Sequence, residues 1–175
     1  MKSIDKILEH ARRVLVICLG NTCRSPAAEG LLRKFAKDYF PDAIFKELVI
    51  ESAGLNSHFT TAQPGSIKWV KALEGEDISS HESRQVTKEM LQLADLVLVM
   101  EYSMKGRLLS LAPNMKGLGD KIFGFKDPCI EELGATHPDV LDPFMRGDEI
   151  YRKVVTEIRD HAKCIACKWS RRLKV

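Results

Sequence analysis

The chain has 175 residues, 45% of them hydrophobic, and its 27 basic and 24 acidic residues give a formal net charge of +3. This length and composition fit one compact domain with its own core, and the interspersed charges argue against a nucleic-acid-binding surface. No apolar run is long enough to cross a membrane or to act as a secretion signal, and five cysteines without a disulfide framework favour a reduced, cytoplasmic protein.

Short β-branched segments alternate with longer amphipathic segments along the chain. The pattern predicts strands at 13–19, 47–54, 95–101 and 119–126. It predicts helices at 25–40, 64–76, 86–94, 105–113 and 148–173, the first with Ser25 as its N-cap. The first strand, "RVLVICL", is almost continuously apolar, which is typical of parallel sheets that are covered on both faces. The alternation therefore predicts a single α/β domain of three layers, in which helices flank a parallel sheet of four strands.

The segment "CLGNTCRSP" at 18–26 connects the first predicted strand to the first predicted helix. Parallel sheets bind ligands at the carboxyl ends of their strands, so a site is expected at this loop. The loop matches neither the GxGxxG pattern nor the phosphate-loop pattern with its lysine, which disfavours nucleotide binding. Its consecutive backbone N–H groups lead into a helix N-terminus, and such an arrangement binds anions.

Cys18 and Arg24 give this anion-binding loop a chemical interpretation. The Arg24 guanidinium is a planar fork that matches phosphate oxygens, and the positive field of the loop favours the thiolate form of Cys18. In this interpretation Cys18 attacks phosphorus, Arg24 holds the phosphoryl oxygens, and Ser25 donates a hydrogen bond to the thiolate. The phosphate-binding residues of the loop are predicted to be Leu19, Gly20, Asn21, Thr22, Cys23 and Ser25. A buried apolar role, which is the usual one for a single cysteine, leaves the neighbouring Arg24 and Ser25 unexplained.

The order Cys-x5-Arg-Ser at the end of a strand resembles the signature loop of the low-molecular-weight protein tyrosine phosphatases. The likeness continues through "SAG" (52–54), "DISSHESRQVT" (77–87), "ADLVLVME" (94–101) and "DVLDPF" (139–144). The resemblance implies a four-stranded parallel sheet, a cysteinyl-phosphate intermediate, a phosphorylated protein as substrate, and neither a metal nor an organic cofactor. Because the family's pattern starts close to the first strand, residues 1–12 are predicted to be an N-terminal extension of a phosphatase domain at 13–175.

Three further residues match family positions that support the loop. Asn21 resembles the family residue that holds the loop's left-handed conformation through side-chain hydrogen bonds, although Asn is also an ordinary turn former. His81 and Arg84, in "SHESRQ", match a family His and Arg, and we interpret both as supports of the loop rather than as reacting groups.

The proposed chemistry needs a carboxylic acid that protonates the leaving group. Two Asp-Pro pairs offer one, Asp127 in "DPC" and Asp142 in "DPF". Only Asp142 has an aromatic neighbour, Phe144, and it precedes the closing helix as the family's acid does. We therefore predict Asp142 as the acid, with Asp127 as the alternative. Phe144 and Phe59 are the predicted walls of the pocket.

The downstream cysteines bear on a second function that the fold supports. Relatives that reduce arsenate need two further cysteines to relay a disulfide, and none occurs between Cys23 and Cys129, which counts against this function. Cys164 and Cys167 form an isolated CxxC pair in the closing helix. Without a second pair or a histidine at ligand spacing, the pair predicts neither a metal site nor a redox role.

Two alternatives concern the loop itself. A non-catalytic anion-binding module would be expected to lose the nucleophile or the acid, and both are present. Within the phosphatases, Thr22 stands where most tyrosine-specific relatives have an aliphatic residue, and Phe144 stands where they usually have tyrosine. Both residues resemble the bacterial branch that removes phosphate from arginine, so phosphotyrosine and phosphoarginine stay open as substrates.

Overall fold

Four parallel strands in the order β2-β1-β3-β4 form the centre of the computed structural model, which describes residues 3–174. The strands are β1 (Arg13–Cys18), β2 (Val49–Gly54), β3 (Leu96–Val99) and β4 (Ile122–Gly124). The helices are α1 (Ile4–Leu8), α2 (Arg24–Tyr39), α3 (Asp42–Phe45), α4 (Pro64–Glu74), α5 (Lys88–Leu93), α6 (Ser103–Leu111) and α7 (Asp148–Arg172). Two short 3-10 turns lie at Leu118–Asp120 and Asp127–Cys129.

Strand β1 runs through the middle of the sheet because both of its edges are paired. Arg13 to Cys18 align with Val49 to Gly54 of β2, and β1 also pairs with β3. From Val14 onward every side chain of β1 is buried, which explains why the strand reads as a continuous apolar run. The α/β class and the flanked four-stranded parallel sheet predicted from the sequence are confirmed.

Helices α2 and α7 supply the main packing layer beside the sheet. Helix α2 covers β1 and β2 and packs along α7, and α4 contacts both helices. The buried side chains of α2 recur at helical spacing, as in Leu31, Leu32 and Phe35. Helix α7 is 25 residues long. Near its start Tyr151 lies beside Cys23, and near its end the Trp169 indole donates to the carbonyl of Ala11.

All nine elements predicted from the sequence are present, with ends that differ by a few residues. The pattern missed α1, α3 and the two 3-10 turns, which are too short to show a period. The prediction of Ser25 as an N-cap is wrong, because α2 begins at Arg24 and no side chain caps it. The Ser25 hydroxyl is instead turned towards the Cys18 sulfur.

The segment predicted as an N-terminal extension packs onto the far end of α7. Within its described residues Leu8 is fully buried, and Ile7 and Ala11 are buried beside it. Asp5 forms a 3.0 Å ion pair with Arg172, and the Lys174 N–H donates to the carbonyl of Glu9. Within residues 3–174, no helix combines the length and the apolar character that a bilayer crossing requires.

Candidate active site

The loop between β1 and α2 curls around the sulfur of Cys18. Cys18 is the last residue of β1 and is 2% exposed, and its sulfur accepts a 3.2 Å hydrogen bond from the Asn21 N–H. The N–H groups of residues 22–25 make no hydrogen bond to another residue in the 3–174 range. These donors, at the N-terminus of α2, are available to an anion in front of the sulfur.

A chain of hydrogen bonds sets the direction in which the Ser25 hydroxyl points. Ser25 Oγ accepts from Asn21 Nδ2 at 2.9 Å and lies 3.0 Å from Cys18 Sγ, so its own hydrogen is free to point at the sulfur. Asn21 Nδ2 also donates to Ser52 Oγ at 2.8 Å, and the Ser52 hydroxyl donates to Glu29 Oε2 at 2.6 Å. The Glu29 carboxylate can only accept and holds the Ser52 hydroxyl, while Asn21 Nδ2 can only donate, so the Ser25 hydroxyl keeps its own hydrogen for the sulfur.

Asn21 has a left-handed backbone, with φ of 55°, and its neighbours hold it there. Such a conformation costs a residue other than glycine about 1 kcal/mol. The Asn21 carbonyl accepts from Ser83 Oγ at 2.7 Å and from His81 Nε2 at 3.0 Å. The Arg84 N–H donates to Asn21 Oδ1 at 2.9 Å. The positions of His81 and Arg84 fit the supporting roles predicted for them.

Gly54, at the end of β2, makes room for this loop. A Cβ at Gly54 would lie 2.8 Å from the Leu19 carbonyl oxygen and 3.0 Å from the Asn21 nitrogen. Both distances are shorter than ordinary contacts allow, so the loop can lie against β2 only where glycine stands. This explains physically why "SAG" accompanies the loop sequence.

The guanidinium of Arg24 joins three segments at the back of the cleft. Arg24 is 2% exposed and donates from Nη1 to Glu101 Oε1 at 2.6 Å and to the Val140 carbonyl at 2.9 Å. It donates from Nη2 to Asp142 Oδ2 at 2.9 Å. Arg24 Nε is buried and has no partner among residues 3–174. Glu101 was missed by the sequence reasoning, because the only local signal is its position just after β3.

The two Asp-Pro aspartates have different surroundings. Asp142 lines the cleft in front of Cys18, and its Oδ1 accepts from the Phe144 N–H at 3.1 Å. Asp127 accepts from the Tyr102 hydroxyl and, at 2.7 Å, from the Gly124 N–H, so it stabilises the turn after β4. Of the two candidates, only Asp142 lies where a substrate in the loop would meet it.

Most of the residues that the sequence predicted for the site line the cleft. Its lining comprises Cys18, Leu19, Gly20, Thr22, Cys23, Arg24, Asn56, His58, Phe59, Asp142 and Phe144. The predicted residues Asn21 and Ser25 lie beneath this surface and are fully buried. Phe59 and Phe144 are 52% and 38% exposed, and their ring centroids are 5.8 Å apart, so they form one wall. Asn56 had no sequence signal that would identify it.

Cys23 is a second sulfur in the loop with a different environment. Its Sγ lies 3.3 Å from the Tyr151 hydroxyl and 3.7 Å from Thr22 Oγ1. Burial raises the pKa of the Cys23 thiol, which keeps it neutral at physiological pH. Across residues 3–174, no group of three or more His, Cys, Asp or Glu side chains is arranged to hold a metal ion.

Comparisons with known proteins agree with this geometry. Residues 13–174 match the family model described as low molecular weight phosphotyrosine protein phosphatase. The chain is 34% identical over 151 residues to the low molecular weight protein-tyrosine-phosphatase Wzb of Escherichia coli K12, covering 86% of this chain and 90% of Wzb. It is 32% identical over 155 residues to the protein-arginine-phosphatase of Bacillus subtilis, covering 87% and 93%.

Solved structures show the same fold. The low molecular weight protein tyrosine phosphatase from T. tengcongensis superposes with a TM-score of 0.72 at 35% identity, covering 88% of this chain and 97% of that one. Wzb from Escherichia coli K30, solved in complex with sulphate, superposes with a TM-score of 0.73 at 27% identity, covering 89% and 96%.

Proposed function

The chain belongs to the low molecular weight phosphotyrosine protein phosphatase family and is a protein phosphatase, and we propose that Cys18 carries out its chemistry through a cysteinyl-phosphate intermediate. The observation that supports this most strongly is the environment of the sulfur. The buried Cys18 thiol lies in the loop whose N–H groups at 22–25, together with the buried Arg24 Nε, have no partner within residues 3–174. A nucleophile surrounded by donors suits an anionic electrophile.

In the first step, the loop N–H groups and Arg24 hold the three non-bridging oxygens of the phosphoryl group. Cys18 Sγ attacks phosphorus, and the bond from phosphorus to the side-chain oxygen or nitrogen of the substrate breaks. Asp142 gives its proton to the departing atom. The Ser25 hydroxyl, which points at the sulfur, stabilises the thiolate before attack and again when it departs.

In the second step, water attacks phosphorus and the bond from sulfur to phosphorus breaks. Asp142, now a carboxylate, accepts the proton of that water, and phosphate leaves with Cys18 restored as the thiolate. Glu101 assists both steps indirectly. A phosphoryl dianion competes with Asp142 for the Arg24 guanidinium and frees the carboxyl group for proton transfer, while Glu101 continues to hold Arg24.

Phosphotyrosine is the primary substrate class that we propose. The two phenylalanine rings, Phe59 and Phe144, form an apolar wall beside the cleft, and a flat aromatic side chain packs well against such a wall. The acceptor would be a phosphorylated protein, with its phosphoryl group in the loop.

Phosphoarginine is the second candidate, because Thr22 lines the cleft. The Thr22 side chain is 4% exposed, and its hydroxyl can accept a hydrogen bond from a guanidinium N–H next to the scissile bond. The similarity to the Bacillus subtilis protein-arginine-phosphatase supports this alternative. Arsenate reduction has less support, since Cys129 is bonded to Cys164 instead of lying free for a relay.

One assay separates the two substrate classes. The values of kcat/KM are measured for peptides of the same sequence that carry phosphotyrosine or phosphoarginine, with wild type and with Thr22→Ile. We expect the substitution to lower the ratio of phosphoarginine to phosphotyrosine activity by about tenfold, or about 1.4 kcal/mol. Thr22→Val is the matched control, because it removes the hydroxyl and keeps nearly the same shape. It should lower the ratio as Thr22→Ile does. An unchanged ratio, or a wild type that does not hydrolyse the phosphoarginine peptide, leaves phosphotyrosine as the substrate.

A chain that hydrolyses neither peptide nor a generic aryl phosphate would instead be a non-catalytic anion-binding module.

A further inference from the structure

Three cysteines lie together at the end of α7 that is remote from the cleft. Cys129 and Cys164 form a disulfide with their Cα atoms 6.3 Å apart, and Cys167 is free. The sequence predicted no redox role for the CxxC pair, and its first cysteine is bonded instead to a residue from the turn after β4. That partner is 35 residues away in the chain, so spacing alone could not identify it.

The disulfide fastens the start of the segment that carries the proposed acid. Between β4 and α7 the chain forms only the short turn at Asp127–Cys129 and otherwise has no helix or strand. The Leu133 N–H donates to the carbonyl of Cys129, and the Ala135 N–H donates to the carbonyl of Ile130. The bridge therefore anchors a run of irregular backbone that leads to the cleft.

A second contact holds the same turn to α7. Lys168 Nζ donates to the Pro128 carbonyl at 2.7 Å and to Glu132 Oε1 at 2.6 Å. Lys168 follows Cys164 by one helical turn, so the ionic and the covalent contacts leave the same face of the helix. These contacts do not involve the bridge, so we expect them to keep the turn close to α7 when the bridge opens and to let the bridge form again.

The three cysteines differ in how far solvent reaches them. Cys129 is fully buried and out of reach of an external thiol, whereas Cys164 and Cys167 are partly exposed. Residues three apart on a helix are neighbours, with Cβ atoms about 5 to 6 Å apart. A disulfide draws such atoms to about 3.5 to 4.5 Å, so a bond between Cys164 and Cys167 needs α7 to tighten locally near its end. Cys167 is therefore the free thiol next to the bridge, on the side that solvent reaches.

We propose that Cys129, Cys164 and Cys167 form a thiol–disulfide exchange site, separate from the phosphatase cleft, whose reactants are low-molecular-weight dithiols and disulfides. The Cys167 thiol loses its proton to water and its sulfur attacks Cys164 Sγ. A Cys164–Cys167 bond forms while the Cys129–Cys164 bond breaks, and Cys129 leaves as a thiolate that takes a proton from water. This step involves no net oxidation.

An external dithiol completes the opening. One of its sulfurs attacks the exposed Cys164–Cys167 bond to form a mixed disulfide, and its second sulfur displaces the protein thiol. The dithiol is oxidised to a disulfide, and the protein bridge is reduced by two electrons to two thiols. A small disulfide reverses these steps and restores the anchor.

Peptide mapping tests the exchange directly. Trypsin cuts after Lys163 and Lys168, so Cys164 and Cys167 fall in one peptide, 164–168, and Cys129 falls in the peptide 127–146. A Cys164–Cys167 bond lowers the mass of peptide 164–168 by two hydrogens, whereas a bond to Cys129 adds the second peptide. The full chain carries Cys18→Ser, which makes the result independent of the proposed catalytic role, and the remaining cleft thiol, Cys23, falls in a separate peptide, 14–24.

We expect the two peptides to be linked in protein purified without reductant. A fraction of this protein should also carry the internal bridge in peptide 164–168, because the exchange needs no external thiol, and Cys167→Ser should slow the opening by an added dithiol at least tenfold. Complete alkylation of Cys129 in protein treated with a small disulfide would show that the Cys129–Cys164 bridge does not form. If the Cys129–Cys164 bridge opens at the same rate in wild type and in Cys167→Ser, the proposed attack of Cys167 on the bridge is wrong.

Hydrogen exchange tests the anchor. Cys164→Ser should speed exchange at the Leu133 and Ala135 amides at least tenfold while the β1 amides stay protected, and Cys167→Ser should leave all of them unchanged. Unaltered exchange at Leu133 and Ala135 in Cys164→Ser would show that the bridge does not hold the segment.

Discussion

The two cysteine-containing regions at opposite ends of α7 are built in opposite ways. In the cleft, Cys18 and Cys23 are free, and hydrogen bonds from Ser25, Asn21 and Tyr151 surround their sulfurs. At the far end, a covalent bond joins two elements that the chain order keeps apart. A sulfur that attacks a phosphoryl group must stay unbonded, so donors position it, whereas sulfurs that fasten backbone and react only by exchange can be bonded. The following predictions test this difference.

The largest effect is expected from Cys18→Ser. The hydroxyl is a much poorer nucleophile at neutral pH, so turnover of an aryl phosphate should fall by more than about 10³-fold. Binding of inorganic phosphate, measured by calorimetry, should persist because the loop N–H groups and Arg24 are unchanged. Cys23→Ser is the matched control in the same loop and should stay within about tenfold of wild type. Turnover of Cys18→Ser above about one part in a thousand would reject Cys18 as the nucleophile.

The second largest effect is expected from the loss of the proposed acid, Asp142. Asp142→Ala should slow substrates with poor leaving groups by about 10²- to 10⁴-fold and activated aryl phosphates far less, because only the former need a proton. Asp127→Ala is the control. It should lower thermal stability by removing the acceptor of the Gly124 N–H and the Tyr102 hydroxyl, with little effect on leaving-group dependence. The reverse result for the two variants would transfer the acid role to Asp127.

At the far end, Cys164→Ser should lower stability instead of activity. A crosslink that closes a loop of this length restricts the unfolded chain, which is worth about 3 to 4 kcal/mol in the entropy model. Denaturant unfolding without reductant should show this loss. Cys167→Ser, one helical turn away, should change stability by less than about 0.5 kcal/mol. Equal stabilities of wild type and Cys164→Ser would mean that the bridge does not stabilise the fold.

The smallest effect concerns Glu29, which lies at the outer end of the hydrogen-bond chain to Cys18. Glu29→Ala removes the acceptor that holds the Ser52 hydroxyl, which loosens the Asn21 side chain that donates to Ser25, so kcat should fall about tenfold with KM nearly unchanged. Glu29→Gln keeps an acceptor oxygen and should recover most of the loss. Arg33→Ala is the control, since it removes the 2.8 Å partner of the other Glu29 oxygen and a donor to the Ile50 carbonyl but leaves the Ser52 contact in place. A rise in KM without a fall in kcat would argue for a role in binding.

Much of the fold was predictable from the sequence because the signals are local. The apolar run of β1 and the spacing of Leu31, Leu32 and Phe35 report burial directly, and a parallel sheet places the loop after β1 at its ligand-binding edge. Asp142 was distinguished from Asp127 by a neighbouring aromatic, which is also a local feature.

The sequence by itself determined the alternation of strands and helices, the loop from Cys18 to Ser25 and its candidate acid. Only the tertiary structure decided that Glu101 holds Arg24, that Ser25 does not cap α2, and that Cys129 meets Cys164. These contacts join residues whose separation in the chain carries no period or turn signal. They depend on how helices and loops pack on the sheet, and that packing minimises the free energy of the whole chain and not of any one segment.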